Sequence, residues 1–153
     1  MEPTLGGFIG FITNVMGISA TYLPSDSPII SYVFNFALNY VNQALQAIPN
    51  ANTGMWSPYA MAVYNLAGDR LVNFAQDQVG QTFFQTMRTN LGLNSFVGGV
   101  ISATADNGTS QSMVVPEAME TLTFSDLSTL KTPWGRQYLG MAQDYGAGPW
   151  GIS

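Results

Sequence analysis

"SDSPIISYVFNFALNYVNQALQAI", residues 25–48, decides the fold class of this chain. Asp26 or Ser27 is placed to cap a helix. Pro28 suits its first turn, where a missing N–H costs nothing. The spacing predicts a helix from Pro28 to about Ala47. Ile30, Val33, Phe34, Ala37, Val41, Ala44 and Ile48 make its core stripe, the i, i+3, i+4 recurrence of an amphipathic helix. Tyr32, Phe36 and Tyr40 form a second row at i, i+4, i+8. A helix apolar on two sides is buried on two sides, within its own domain or against a neighbour.

The same grammar recurs downstream. Ser57 and Pro58 repeat the cap-plus-proline signal, and Ala60, Tyr64, Ala67, Leu71 and Phe74 carry a helix over 58–74. Within it, Asp69 and Arg70 are opposite charges on adjacent positions. Adjacent residues point to different sides of a helix, so each is expected to find a partner elsewhere. Phe83, Phe84, Met87 and Leu91 predict a third helix over 82–91, closed by Gly92. "TFSD", residues 123–126, resembles a capping box and opens a short helix over 124–131. Thr132 and Pro133 open the last helix, 133–145, along which Trp134, Tyr138, Met141 and Tyr145 keep the period.

Upstream lies "TLGGFIGFITNVMGI", residues 4–18, apolar and rich in glycine. Pro3 and Pro24 bound the uncharged run, Asn14 interrupts it, and no Lys or Arg precedes Arg70. The dense apolar part is shorter than a bilayer needs, and the basic flank of a signal or spanning segment is missing. Phe8, Ile12, Val15 and Met16 instead recur at helical spacing, with Gly17 where a left-handed cap belongs. A packed helix over about 7–16 is expected; insertion into lipid through residues 5–18 is the competing reading.

One stretch breaks the helical pattern. "SFVGGVISATADNGTSQSMVV", residues 95–115, is rich in β-branched, Ser and Thr residues around a central Asn107-Gly108. That dipeptide suits a type I′ turn, so a β-hairpin is expected over about 96–115. A lone hairpin is marginal in water and would add to another sheet or to neighbouring copies. The expected architecture is therefore mainly α within an α+β class. It is a single domain over 1–153, a small helical bundle with a projecting hairpin and an extended C-terminal tail.

Composition narrows the function. Of 153 residues only 8% are charged, about a third of the usual share, while 46% are hydrophobic. A charge-poor surface suits a subunit buried against partners. The net charge is −5, with four basic residues in all, which argues against any groove that grips phosphate. Histidine and cysteine are absent, removing the commonest general base, the commonest metal ligands and all thiol chemistry. Glu117 and Glu120 stand at i and i+3, more naturally a solvated helix start than a catalytic pair. No enzyme activity and no cofactor are expected.

"FITNVMGI", "LPSDSPIISYVFNFALNYVNQAL", "YAMAVYNLAGDRLVNFAQD", "SFVGGVISATADNGTSQSMVVPE" and "LKTPWGRQYLGMAQDYG" together resemble a tailed-bacteriophage virion protein of the head-to-tail connector group, also called adaptor or head-completion proteins. The likeness covers nearly the whole chain and lies in packing and assembly motifs, without a catalytic signature. It implies a mostly helical subunit in a ring of about twelve copies, seated between the portal protein and the tail. DNA would pass through the ring without sequence-specific binding. The virion location at the head–tail interface, synthesis in the host cytoplasm and the lack of a membrane partner follow from the same resemblance. It makes residues 95–115 and the tail from Ala147 the docking elements. The interface residues expected on these grounds are Phe96, Val100, Asn107, Gly108, Met113, Val115, Trp134, Trp150 and Ile152. A tail-tube or tail-completion subunit is the nearest alternative, because it shares the ring logic.

Overall fold

The computed structural model describes residues 2–50, 54–93 and 129–145. Five α-helices and one 3-10 segment carry them: α1 (Leu5–Asn14), α2 (Pro28–Tyr40), the 3-10 segment (Gln43–Ala47), α3 (Pro58–Phe74), α4 (Phe83–Leu91) and α5 (Pro133–Tyr145). The mixed α+β class is corrected, because among the described residues all regular structure is helical and no strand occurs. The physical reason is that the buried apolar faces of those residues pack against other helices, leaving no sheet for a strand to join. The hairpin expected over 96–115, most of the helix expected over 124–131 and the tail from Ala147 lie outside the described residues.

Helix α3 is the centre. Tyr59, Ala62, Val63, Tyr64, Leu66, Ala67, Leu71 and Val72 are all buried, as befits a helix surrounded on most sides. Its start follows the sequence: the Ser57 hydroxyl accepts the Ala60 N–H at 3.1 Å, and Pro58 occupies the first turn. Around it stand α2 and α5 as the principal neighbours, with α1, α4 and the 3-10 segment completing the bundle.

The opening stretch folds as a helix two residues earlier than its spacing predicts. Thr4 caps α1 by accepting the Gly7 N–H at 3.0 Å, and Phe8, Phe11 and Ile12 enter the core. Gly17 adopts φ +71°, the left-handed conformation glycine tolerates at a helix end. The Ile18 N–H then returns to the Ile12 carbonyl at 3.0 Å. Gly7 is where α1 meets α3, since a Cβ there would collide with the Tyr64 hydroxyl oxygen. That hydroxyl accepts the Thr4 N–H at 3.0 Å and donates to the Thr4 carbonyl at 3.3 Å. No helix among the described residues is long and apolar enough to cross a membrane.

The helix expected over 28–47 is corrected to a shorter one. α2 ends at Tyr40, Val41 turns extended at ψ 133°, and a 3-10 segment follows. Asn42 supplies the cause: its side-chain oxygen accepts the Ala44 N–H at 2.8 Å, the local bonding with which asparagine competes against a continuing helix. The change of pitch exchanges stripe residues. Val41 and Leu45 are buried, whereas Ala44, expected inside, is exposed.

Two side chains fasten helix ends across the bundle. The Asp77 carboxylate caps α4 from a distance, accepting the N–H groups of Phe84 at 2.6 Å and Gln85 at 3.1 Å. Arg88 on α4 reaches back to the end of α3, donating from Nε to the Val72 carbonyl at 2.8 Å and from its terminal nitrogen to the Ala75 carbonyl. These are the carbonyls a helix terminus leaves without an intrahelical partner.

Candidate functional site

Among the described residues three places could support function: a buried carboxylate, an open groove beside α4, and an aromatic face on α2.

Asp69 of α3 is completely buried. Its Oδ1 accepts the Thr132 hydroxyl at 2.6 Å, and the Thr132 oxygen in turn accepts the Gly135 N–H at 2.8 Å. Thr132 thus caps α5 while tying its first turn to α3. Gly135 is obligatory here, because a Cβ would collide with the Thr129 carbonyl oxygen and lie 2.8 Å from Asp69 Oδ1. Burial pushes the Asp69 carboxyl up from 3.8 to about 6, partly offset by the Thr132 hydrogen bond and the Arg70 charge. The guanidinium of Arg70 stands 3.9 Å from Asp69 Oδ2. A perturbed acid is a hallmark of many active sites; this one is fully buried and hydrogen-bonded between two helices. It holds two helices together.

The second place is an open groove of about 460 Å³ where α4 and α5 meet the loop before α2. Tyr22 stacks on Phe83 there, with ring centroids 4.4 Å apart and planes 8° from parallel. Trp134, half-buried, lines the same groove. Of the interface residues expected from the sequence, Trp134 alone is among those described; Phe96, Val100, Asn107, Gly108, Met113, Val115, Trp150 and Ile152 lie outside them. Glu117 and Glu120 lie outside them too. Among the described residues no group of three or more acidic residues could hold a metal ion.

The third place is the outward face of α2. Tyr32 is 63% exposed, Tyr40 44% and Phe36 37%, and Phe74 of α3 beside them is 52% exposed. Phe36 and Tyr40 stack with centroids 5.4 Å apart at 17°, while the Arg70 guanidinium lies over the Phe36 ring at 5.4 Å. Tyr32, Val33, Phe36, Arg70 and Phe74 together line a groove of about 260 Å³. No residue of α2 is charged. Among the described residues, the second apolar row read from the sequence is therefore not part of the buried core. Its outer edge faces solvent, and Asn35 and Asn39 are exposed beside it.

Sequence reasoning placed Asp69 and Arg70 on different sides of α3 but missed their partners, Thr132 for Asp69 and the Phe36 ring for Arg70. The two side chains still approach each other to 3.9 Å. The available signal was their adjacency, which sends them to different sides of α3. Comparison with known protein families, with curated proteins and with solved structures found no match.

Proposed function

We propose that this chain is a structural subunit of a protein assembly, and that the assembly is the adaptor ring joining portal to tail in a tailed phage. The observation that carries the first part is the outward face of α2. A helix with no charged residue presents three aromatic side chains to solvent, an arrangement that marks protein contact surfaces. The second part rests on the sequence resemblance. A chain with net charge −5 and four basic residues suits a ring that lets DNA slide past, since like charge prevents the duplex from sticking.

The described helices have a supporting role in this reading. Their ends are fastened by Asp77, Arg88 and Thr132, so the bundle offers a rigid body on which a contact surface keeps its shape. Electron microscopy of the assembled particle tests the proposal. A closed ring of this chain between portal and tail is the expected result, whereas its absence from purified particles would refute the connector assignment.

A further inference from the structure

The row Tyr32, Phe36, Tyr40 is a palindrome on one i, i+4 ridge of α2. A two-fold interface demands this kind of pattern, because residue i must meet j while j meets i. We propose that α2 pairs with α2 of a second copy, antiparallel, about an axis at Phe36, each Tyr40 entering the groove of the other copy beside Tyr32. Ridges spaced by four residues interdigitate in the commonest helix-packing class. The axis then sets Phe36 against its counterpart.

The groove is already open to receive a ring. It holds about 260 Å³ between Tyr32, Phe36, Arg70 and Phe74, and the Arg70 guanidinium lies along its wall over Phe36. A tyrosine ring entering there gains aromatic neighbours and a nearby cation. Charge also favours a copy of the same chain over a charged partner. Each copy carries −5 overall, so copies approach best through a face without acids, and α2 has no charged residue.

The area fits a reversible pair. The exposed parts of Tyr32, Phe36, Tyr40 and Phe74 amount to about two whole aromatic side chains, or about 400 Å² per copy. Two copies then bury about 800 Å² of aromatic surface, and flanking Asn35 and Asn39 extend the contact toward the lower end of specific interfaces. A pair in the micromolar range is expected. It does not rest on the connector reading, since a ring closes through two different faces and this contact uses one face twice.

The chain contains no cysteine, so introduced thiols report the register cleanly. Phe36→Cys should form a self-disulfide under mild oxidation. Tyr32→Cys mixed with Tyr40→Cys should cross-link together far faster than either alone. Sedimentation of the unmodified chain should show a monomer–dimer equilibrium, which Tyr40→Ser weakens at least about tenfold while the circular dichroism spectrum stays unchanged. A monomer at every concentration overturns the pair, as does a dimer indifferent to Tyr40→Ser or one whose cross-links ignore the Tyr32–Tyr40 register. Closed rings lacking that cross-link also overturn it and leave the ring reading standing. Pairs that never enter a particle do the reverse.

Discussion

Replacing Asp69 by asparagine should make the protein more stable at neutral pH, although it removes the acid that ties α3 to α5. Burial raises this carboxyl from 3.8 to about 6. Between those values the folded chain holds a proton that the unfolded chain has released, so stability falls as pH rises through the window. Below about pH 4 both states are protonated, and the clasp costs nothing. Above about pH 6 the full penalty applies. At about 1.4 kcal/mol per tenfold change in the proton equilibrium, it comes to about 3 kcal/mol, a large part of the 5–15 kcal/mol typical of a domain. The carboxamide of the Asp69→Asn variant would still offer an oxygen to the Thr132 hydroxyl, now at 2.6 Å from Oδ1, and would stay neutral throughout. Urea unfolding of Asp69→Asn and the parent, followed by circular dichroism from pH 4 to 8, isolates this group, because the other titrating residues cancel in the difference. The two proteins should match near pH 4 and separate by about 3 kcal/mol by pH 7. A difference that is flat with pH, or a variant less stable than the parent at pH 8, would refute the reasoning and show that the ionised carboxylate itself holds the clasp.

Four further substitutions probe the bundle. Gly7→Ala drives a methyl group into the Tyr64 hydroxyl and should cost about 2 kcal/mol. Gly6→Ala, which meets nothing within 4 Å, should stabilise by about 0.5 kcal/mol, and paired urea titrations check both signs. Arg88→Met keeps the apolar stem but leaves the Val72 and Ala75 carbonyls without their donor, a loss of about 2 kcal/mol read from the thermal midpoint. Gly135→Ala collides with the Thr129 carbonyl oxygen. It should cost about 3 kcal/mol and detach the start of α5, visible as a loss of near-ultraviolet circular dichroism from Tyr138 and Trp134.

The helices were legible because their signals are local. Ser57-Pro58 begins α3 as expected, and Gly92 closes α4 at φ +71°, whereas α1 is capped by Val15, two residues before the left-handed Gly17. Period alone could not show where α2 ends. Val41 keeps the stripe by leaving the helix, and Asn42 decides the break through a bond to Ala44 that a hydrophobic pattern does not register. Burial side was ambiguous for the same reason. Tyr32, Phe36 and Tyr40 repeat as regularly as Ile30, Val33 and Ala37, yet only the second set is buried in the bundle. Two apolar stripes on one helix say that both want cover; they do not say which is covered within the chain. The Asp69 clasp was hidden because Thr132 lies 63 positions away, a separation at which no sequence spacing carries information.

The few charges of this chain show why its exterior can be so neutral. A soluble surface normally carries charges of both signs. Here several work inward instead. Arg88 closes the end of α3, Asp77 caps α4, and Asp69 is sealed against Thr132. Each meets a polar group at a helix end that packing would otherwise leave unsatisfied. The same economy strips α2 of charge and leaves its aromatic ridge facing outward. Bundle stability and contact surface thus draw on one allocation of charge. An Asn39→Lys substitution tests the link, because residue 39 is exposed beside the ridge and does not touch the charged clasps. It should leave the unfolding midpoint in urea within about 0.5 kcal/mol of the parent and weaken association between copies by placing like charges across the contact. If association is unchanged, the neutrality of α2 is unrelated to assembly.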